Sequence, residues 1–205
     1  MKSPKSRPTV IVSTIFIVLT LVGGAFALLE QWHSASTNSE QTSIGGPFTL
    51  VTGDGMTVTE QTFRDKWLLI YFGYTYCPDA CPTTLNDIAE ALTRLGPLAE
   101  KVQPLFISID PDRDTPEVIG KYVKSFDPRI VGLTGTAEQI SKVASEFHVY
   151  YAVHRTGNGP DDYAMDHSSI IYVMNSQGRY AAAVSSGQTP DALASRLRQL
   201  MTSSS

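Results

Sequence analysis

Apolar positions along this chain alternate between two periods. Trp67–Phe72 (WLLIYF) and Pro104–Ile109 (PLFISI) are near-continuous apolar runs, the pattern of strands covered on both faces. Between them, Leu85, Ile88, Ala89, Leu92 and Leu95 keep helical spacing, predicting a helix from about Pro82 to Leu95 that Gly96-Pro97 closes. Thr115-Pro116-Glu117 opens another helix, with Thr as cap and Pro at the first helical position. It turns Val118, Ile119, Tyr122, Val123 and Phe126 inward and stops at Asp127-Pro128. A short strand near Ile130–Leu133 leads to Thr136-Ala137-Glu138-Gln139, a capping-box pattern. The helix that follows presents Ala137, Ile140, Val143, Ala144 and Phe147 on one face.

Hairpins frame this core. Phe48–Val51 and Met56–Thr59, joined by Thr52-Gly53-Asp54-Gly55, form the first, and Ser169–Met174 with Tyr180–Val184 the second. Val149–Val153 reads as a strand, and the Gly/Asp/Pro-rich stretch Thr156–Asp166 as a loop. Thr189-Pro190-Asp191 caps a last helix with Leu193, Leu197 and Leu200 on its core side. Strands alternating with helices, then a terminal hairpin and helix, describe an α/β protein with a mixed sheet flanked by helices. A cysteine-bearing turn between a buried strand and the next helix narrows this to a thioredoxin-like fold, which by itself does not establish function.

The amino end follows a different pattern. Lys2, Lys5 and Arg7 form a basic segment over residues 1–7, and Pro8–Leu29 is a 22-residue stretch without a charge. About 20 apolar residues suffice to cross roughly 30 Å of hydrocarbon. Three cations ahead of the run predict a cytoplasmic amino terminus with the remainder exported. A cleaved signal peptide competes, since Ala25-Phe26-Ala27 resembles a processing site, but the apolar run exceeds the usual signal length. With no room before Pro8 for an Arg-rich transit peptide, the expected location is a bacterial inner membrane, single-pass, with the globular part in the periplasm. Residues 30–45 form a polar linker, 46–201 the folded domain and 202–205 a short tail.

The 205 residues carry net charge −4. Three of the 16 basic residues precede the apolar run and all 20 acidic ones follow it, so the segment from Glu30 onward has 13 basic residues and net charge −7. That balance, without a Lys/Arg cluster, argues against nucleic acid as partner. Two cysteines exclude a disulfide-rich scaffold, an all-cysteine zinc site and a four-thiolate iron–sulfur cluster.

Those cysteines carry the candidate chemistry. Cys77-Pro78-Asp79-Ala80-Cys81 lies where the WLLIYF strand gives way to a helix, whose free N–H groups and positive dipole end stabilise thiolate. Three intervening residues let one turn bring both sulfurs to one ion, or join them as a redox or structural disulfide. Two thiolates are an incomplete metal site; their softness selects Cu(I), then zinc, and imidazole is the natural third ligand. Of four histidines, His33 sits in the linker, while His148 and His154 read as structural or solvated. His167 follows the long loop and precedes the Ser169 strand, whose start faces the cysteine turn in thioredoxin-like folds; paired with the cysteines it is the expected ligand. Met165 offers a thioether but fits loop packing better. A peroxidase reading is weaker, because position 74 is Tyr where such enzymes place a Thr three residues before the reactive Cys.

Several blocks together resemble the Sco/SenC family. They are residues 71–82 (YFGYTYCPDACP), 107–116 (ISIDPDRDTP), 131–135 (VGLTG) and 166–168 (DHS), in that order across residues 46 to 200. The resemblance implies a membrane-anchored, thioredoxin-fold copper protein that assists assembly of the binuclear copper (CuA) centre of cytochrome c oxidase subunit II, receiving its metal from a copper donor protein. Carried over by position, Cys77, Cys81 and His167 become the copper ligands, and Asp110 an auxiliary carboxylate near the metal. The competing reading of the Asp110–Asp114 segment is a solvated turn that caps a helix. A thiol–disulfide reductase that keeps the oxidase subunit's cysteines reduced would need Cys77 and Cys81 as its catalytic redox pair, without His167.

Overall fold

The computed structural model describes residues 44–203. The basic segment, the 8–29 apolar run, nearly all of the linker with His33, and residues 204–205 lie outside the described residues. Among the described residues no helix is long and apolar enough to cross a membrane.

Among the described residues, nine strands and four α-helices alternate. They are β1 (Thr49–Thr52), β2 (Thr57–Thr59), β3 (Trp67–Gly73), α1 (Ala80–Leu95), β4 (Val102–Ser108), α2 (Pro116–Lys124), β5 (Val131–Thr134), α3 (Ala137–Glu146), β6 (Tyr151–Arg155), β7 (Tyr163–His167), β8 (Ile170–Met174), β9 (Tyr180–Ser185) and α4 (Pro190–Ser203). Seven strands form one mixed sheet in the order β2-β1-β5-β4-β3-β8-β9, and β6 pairs with β7 in a separate two-stranded ribbon. β3 runs parallel to β4 and antiparallel to β8.

The β3 sequence explains its central place. Every residue of the strand is buried, and alternate side chains serve opposite faces. Leu69 and Tyr71 join the helix-covered side with Leu85, Ile88 and Leu92 of α1, Ile119 of α2 and Leu193 of α4. Leu68, Ile70 and Phe72 face the other side, against Ile140 and Val143 of α3, Phe147, and Met165 of β7. Each such aliphatic or aromatic side chain contributes about 1.5–3 kcal/mol by burial. A helix cap contributes only about 1 kcal/mol, so burial decides the layering and the caps decide where helices begin. All three expected caps are present: Thr115 accepts from the Val118 amide, Thr136 and Gln139 form a reciprocal capping box, and Thr189 accepts from the Ala192 amide.

Most strand ends shift by one or two residues, and three departures have a clear cause. α1 begins at Ala80, not near Pro82, because a proline in the first helical turn has no amide to lose there. α4 continues through Thr202 and Ser203, whose hydroxyls bond back to carbonyls of the preceding turn. The stretch read as a loop through Asp166 contains β7, which pairs with β6 from Arg155↔Tyr163 to Tyr151↔His167.

Sheet register sets where the chemistry sits. β3 and β4 end together at Gly73↔Ser108, and Tyr71 of β3 pairs with Ile171 of β8. Because β8 is antiparallel to β3, the residues entering β8 arrive at the same end of the sheet where β3 releases the cysteine turn. That end, outside the carboxyl ends of the parallel strands, is the usual place for a site in an open α/β sheet.

Candidate metal centre

Cys77 lies in the turn after β3, and Cys81 is the second residue of α1. Both thiols are free; Cys81 is fully buried and Cys77 half-buried. The Cys81 amide donates to the Cys77 sulfur at 3.4 Å, one of the unpaired N–H groups of the helix start. Hydrogen bonding from the Cys81 side, opposed by burial and helped by His167, lowers the Cys77 thiol to about 3. Cys81 moves the other way, because its partner already holds the thiolate and because it is buried. The pair therefore gives up its first proton easily and its second with difficulty.

His167 closes the group. Its Nε2 lies 3.6 Å from the Cys81 sulfur, and one ligand atom from each of Cys77, Cys81 and His167 falls within 4.8 Å of the others. With bonds of about 2.3 Å to sulfur and about 2.0 Å to nitrogen, an ion with trigonal or tetrahedral angles spans an S···N distance of roughly 3.5–3.7 Å. The observed separation fits one shared ion. On the other side of the ring, Nδ1 lies 3.1 Å from the Ser168 carbonyl. A carbonyl only accepts, so Nδ1 carries a proton and Nε2 is the ring nitrogen that faces the sulfurs. The rings of Tyr71 and Tyr74 stand edge-on to the imidazole at 6.1 and 6.0 Å and limit its rotation.

Other residues hold this geometry. Gly73 leaves room for the Cys81 sulfur: a Cβ there would lie 2.5 Å from Sγ and 2.8 Å from the Phe106 ring. Asp114, fully buried, accepts from the Thr75 amide at 3.0 Å, the Thr75 hydroxyl at 2.5 Å and the Ser108 hydroxyl at 2.6 Å. It thereby fixes the cysteine turn two residues before Cys77, while burial raises its carboxyl above the usual range. The Tyr71 hydroxyl lies 4.0 Å from the Cys81 sulfur.

Asp110 is engaged by two partners. It is buried, as a functional carboxylate would be, but one oxygen accepts from Arg113 Nε at 2.6 Å and the other from the Tyr163 hydroxyl at 2.7 Å. It is not among the three side chains that gather within 4.8 Å of one another. The i,i+3 spacing of Asp110 and Arg113 was the sequence signal for this pairing. Met165 is buried in the core, as packing predicted. His148 ends the α3 turn in a left-handed conformation with φ 52°, and His154 is exposed on β6.

A thioredoxin-like sheet that gathers two free thiols and an imidazole at its carboxyl edge defines a class of soft-metal-binding or thiol-redox domains. Comparison with known proteins narrows it. The SCO1/SenC family model matches residues 36–202. This chain belongs to the SCO1/SenC family. An SCO2-like protein of Rickettsia prowazekii is 38% identical over 169 residues, covering 82% of this chain and 81% of the relative. The mitochondrial SCO1 homologue of Homo sapiens is 43% identical over 143 residues, 67% of this chain and 46% of that protein. Homologue 1 of Arabidopsis thaliana is 40% identical over 152 residues, 74% of this chain and 45% of the relative. The chain thus spans a little under half the length of these last two. Among solved structures, copper-bound ScoI of Bradyrhizobium japonicum superposes with TM-score 0.71 at 43% identity, covering 77% of this chain and 99% of that one. Copper-bound ScoI of Arabidopsis thaliana gives TM-score 0.73 at 38% identity, covering 78% and 99%.

Proposed function

We propose that this chain is a copper metallochaperone that holds one ion on Cys77, Cys81 and His167. Its role on this reading is to assist assembly of the CuA centre of cytochrome c oxidase subunit II. The observation that carries the reading is the convergence of two sulfurs and one imidazole nitrogen within 4.8 Å. Two thiolates favour Cu(I), and imidazole keeps Cu(II) within reach. Membership of the family and the copper bound to the related ScoI structures support the choice of metal. Three protein ligands leave one side of the ion open, so a target's thiols and imidazoles can replace them one at a time. The half-exposed Cys77 is the side from which exchange starts. The 8–29 apolar run would anchor the chain in a bacterial inner membrane, with the domain on the periplasmic side facing both the oxidase subunit and a copper donor.

The test is transfer. Two equivalents of the reduced, Cu(I)-loaded protein mixed with the apo CuA domain of subunit II should lose their copper, and one-electron oxidation of the metallated target with ferricyanide should then bring up the absorption bands of the mixed-valence CuA centre. Copper that stays on the chaperone while free copper metallates the same target would refute delivery.

A second reading is favoured by the unequal burial of the two cysteines. Cys77 is half-buried and Cys81 fully buried, the arrangement of an attacking and a resolving thiol. In that reading Cys77 thiolate attacks a disulfide of the oxidase subunit, releasing one target thiolate and leaving a mixed disulfide. Cys81 then attacks the Cys77 sulfur, releasing the second target thiolate and leaving a Cys77–Cys81 disulfide. Reduction of an oxidised target by His167→Ala at the wild-type rate would be its signature.

A further inference from the structure

Arg113 is more committed than any other cation among the described residues. Its side chain is 8% exposed and its Asp110 partner 3%, so the pair is taken out of water. Nε donates to Asp110, and Nη1 donates to the Tyr163 carbonyl at 3.0 Å and the Asp161 carbonyl at 3.2 Å. Asp110 also accepts the Tyr163 hydroxyl, so Arg113 and Asp110 grip both the backbone and the side chain of the first β7 residue. The guanidinium lies over three aromatic rings, Tyr163 at 3.6 Å, Tyr76 at 4.6 Å and Tyr74 at 5.8 Å. Tyr76 immediately precedes Cys77, and Tyr74 packs edge-on against His167. Nη2 is buried without a partner among the described residues.

Desolvating such a pair and leaving a donor unpaired is a poor way to gain stability, since apolar side chains of the same volume often do as well. The better attested use of a buried ion pair is to fix register. The elements it joins are the two halves of the candidate metal centre. β6–β7 forms its own ribbon outside the seven-stranded sheet, so the main sheet's hydrogen bonds hold His167 only from its carboxyl side, where Ser169 and β8 follow it. We propose that Arg113 is the positioning residue of the site. Gripping the start of β7 while stacked on the cysteine turn, it keeps the His167 imidazole within reach of the two sulfurs before metal arrives. The proposal rests on His167 being a ligand only for its consequence in metal binding; the position of the imidazole is a property of the metal-free protein.

The chemistry of the fork makes the prediction specific. Lysine keeps the charge and can still meet Asp110, but a single ammonium cannot hold one carboxylate and two carbonyls in a plane while lying flat on Tyr163. In reduced, metal-free protein with labelled histidine, NMR should show cross-relaxation from the His167 ring to Tyr74 and Tyr71. Arg113→Met and Arg113→Lys should both lose most of that signal while the exposed His148, outside the ribbon, is unchanged. Tyr163→Phe, which removes one hydrogen bond, should lose part of it. Copper affinity of the Arg113 variants should fall about tenfold, as when the outer partner of a metal ligand is removed. In the His167→Ala background the same substitutions should then cost less than twofold. Retained Tyr74 and Tyr71 cross-relaxation in a folded Arg113→Met or Arg113→Lys protein overturns the proposal. So does an affinity loss that is as large without His167 as with it. Should His167→Ala alone bind copper like the wild type, the ligand assignment fails, and the metal-free NMR comparison still decides the positioning role.

Discussion

Gly73→Ala is the sharpest single perturbation of the sulfur geometry. Gly73 is the last residue of β3 and pairs with Ser108 of β4. A Cβ there would lie 2.5 Å from the Cys81 sulfur and 2.8 Å from the Phe106 ring, whereas ordinary contact begins near 3.4 Å. Sγ must therefore retreat by about 0.9 Å, or the strand must bend. Bond lengths in a metal site tolerate about 0.2 Å, so a retreat of that size takes the sulfur out of bonding range of an ion held by Cys77 and His167. Overpacking a core typically costs about 1–3 kcal/mol. In a domain of this size each kcal/mol moves Tm by about 2–4 °C, so a mid-range cost lowers Tm by about 4–8 °C. Circular dichroism melts of the metal-free protein measure the first effect, and anaerobic competition against a Cu(I) chelator measures the second. We expect copper affinity to fall by at least about tenfold, more than the stability loss alone would produce in a protein that remains folded at assay temperature. An unchanged Tm together with unchanged affinity would show that the strand yields freely, and the argument for a rigid sulfur cradle would fail.

Three further outcomes follow from the same contacts. Asp114→Ala strands the Thr75 amide and hydroxyl and the buried Ser108 hydroxyl and should cost about 2–4 kcal/mol, read from urea unfolding midpoints. Because burial raises the Asp114 carboxyl above its unfolded value, its contribution is full below the unfolded pKa and is lost as pH rises through the folded one; Asp114→Asn should remove that part of the pH dependence while keeping most of the stability. The Cys77 thiol is held down to about 3, so its rate of alkylation by iodoacetamide should stay nearly flat from about pH 8 to about pH 5, with Cys81 protected; a rate that falls tenfold per pH unit across that range would refute a stabilised thiolate. Thr136→Ala breaks the α3 capping box and should cost about 1 kcal/mol in thermal melts, with copper affinity unchanged because α3 lies on the sheet face that Cys81 does not join.

What the chain's pattern revealed follows the range of the interactions involved. Continuous apolar runs identified β3 and β4, and helical spacing with capping residues identified all four helices, because burial and caps act within a few residues. β7 escaped notice: YAMDH has a single fully buried residue and follows a Gly/Asp/Pro-rich stretch, so neither alternation nor an apolar run marks it. Its strand character comes from pairing with β6, not from its own composition. The cysteines were legible because their spacing is local, and His167 was legible as a candidate because thioredoxin-like topology returns the chain there. The roles of Asp110 and Asp114 were not. Asp114 reaches Thr75, 39 residues earlier, and Asp110 reaches Tyr163, 53 residues later, separations at which no local pattern tells a helix cap from a buried brace. Gly73 was invisible for the same reason, since its need to lack a side chain comes from a sulfur in the next element.

The account depends most on two sulfurs and one imidazole sharing a single copper ion. X-ray absorption on the Cu(I)-loaded, reduced protein, beside the same spectrum of His167→Ala, tests this directly. The expected result is one equivalent of copper with two sulfur neighbours and one nitrogen neighbour, the nitrogen being lost in the variant while both sulfurs remain. Two sulfurs with no nitrogen in the wild type, or a nitrogen that survives His167→Ala, would contradict it.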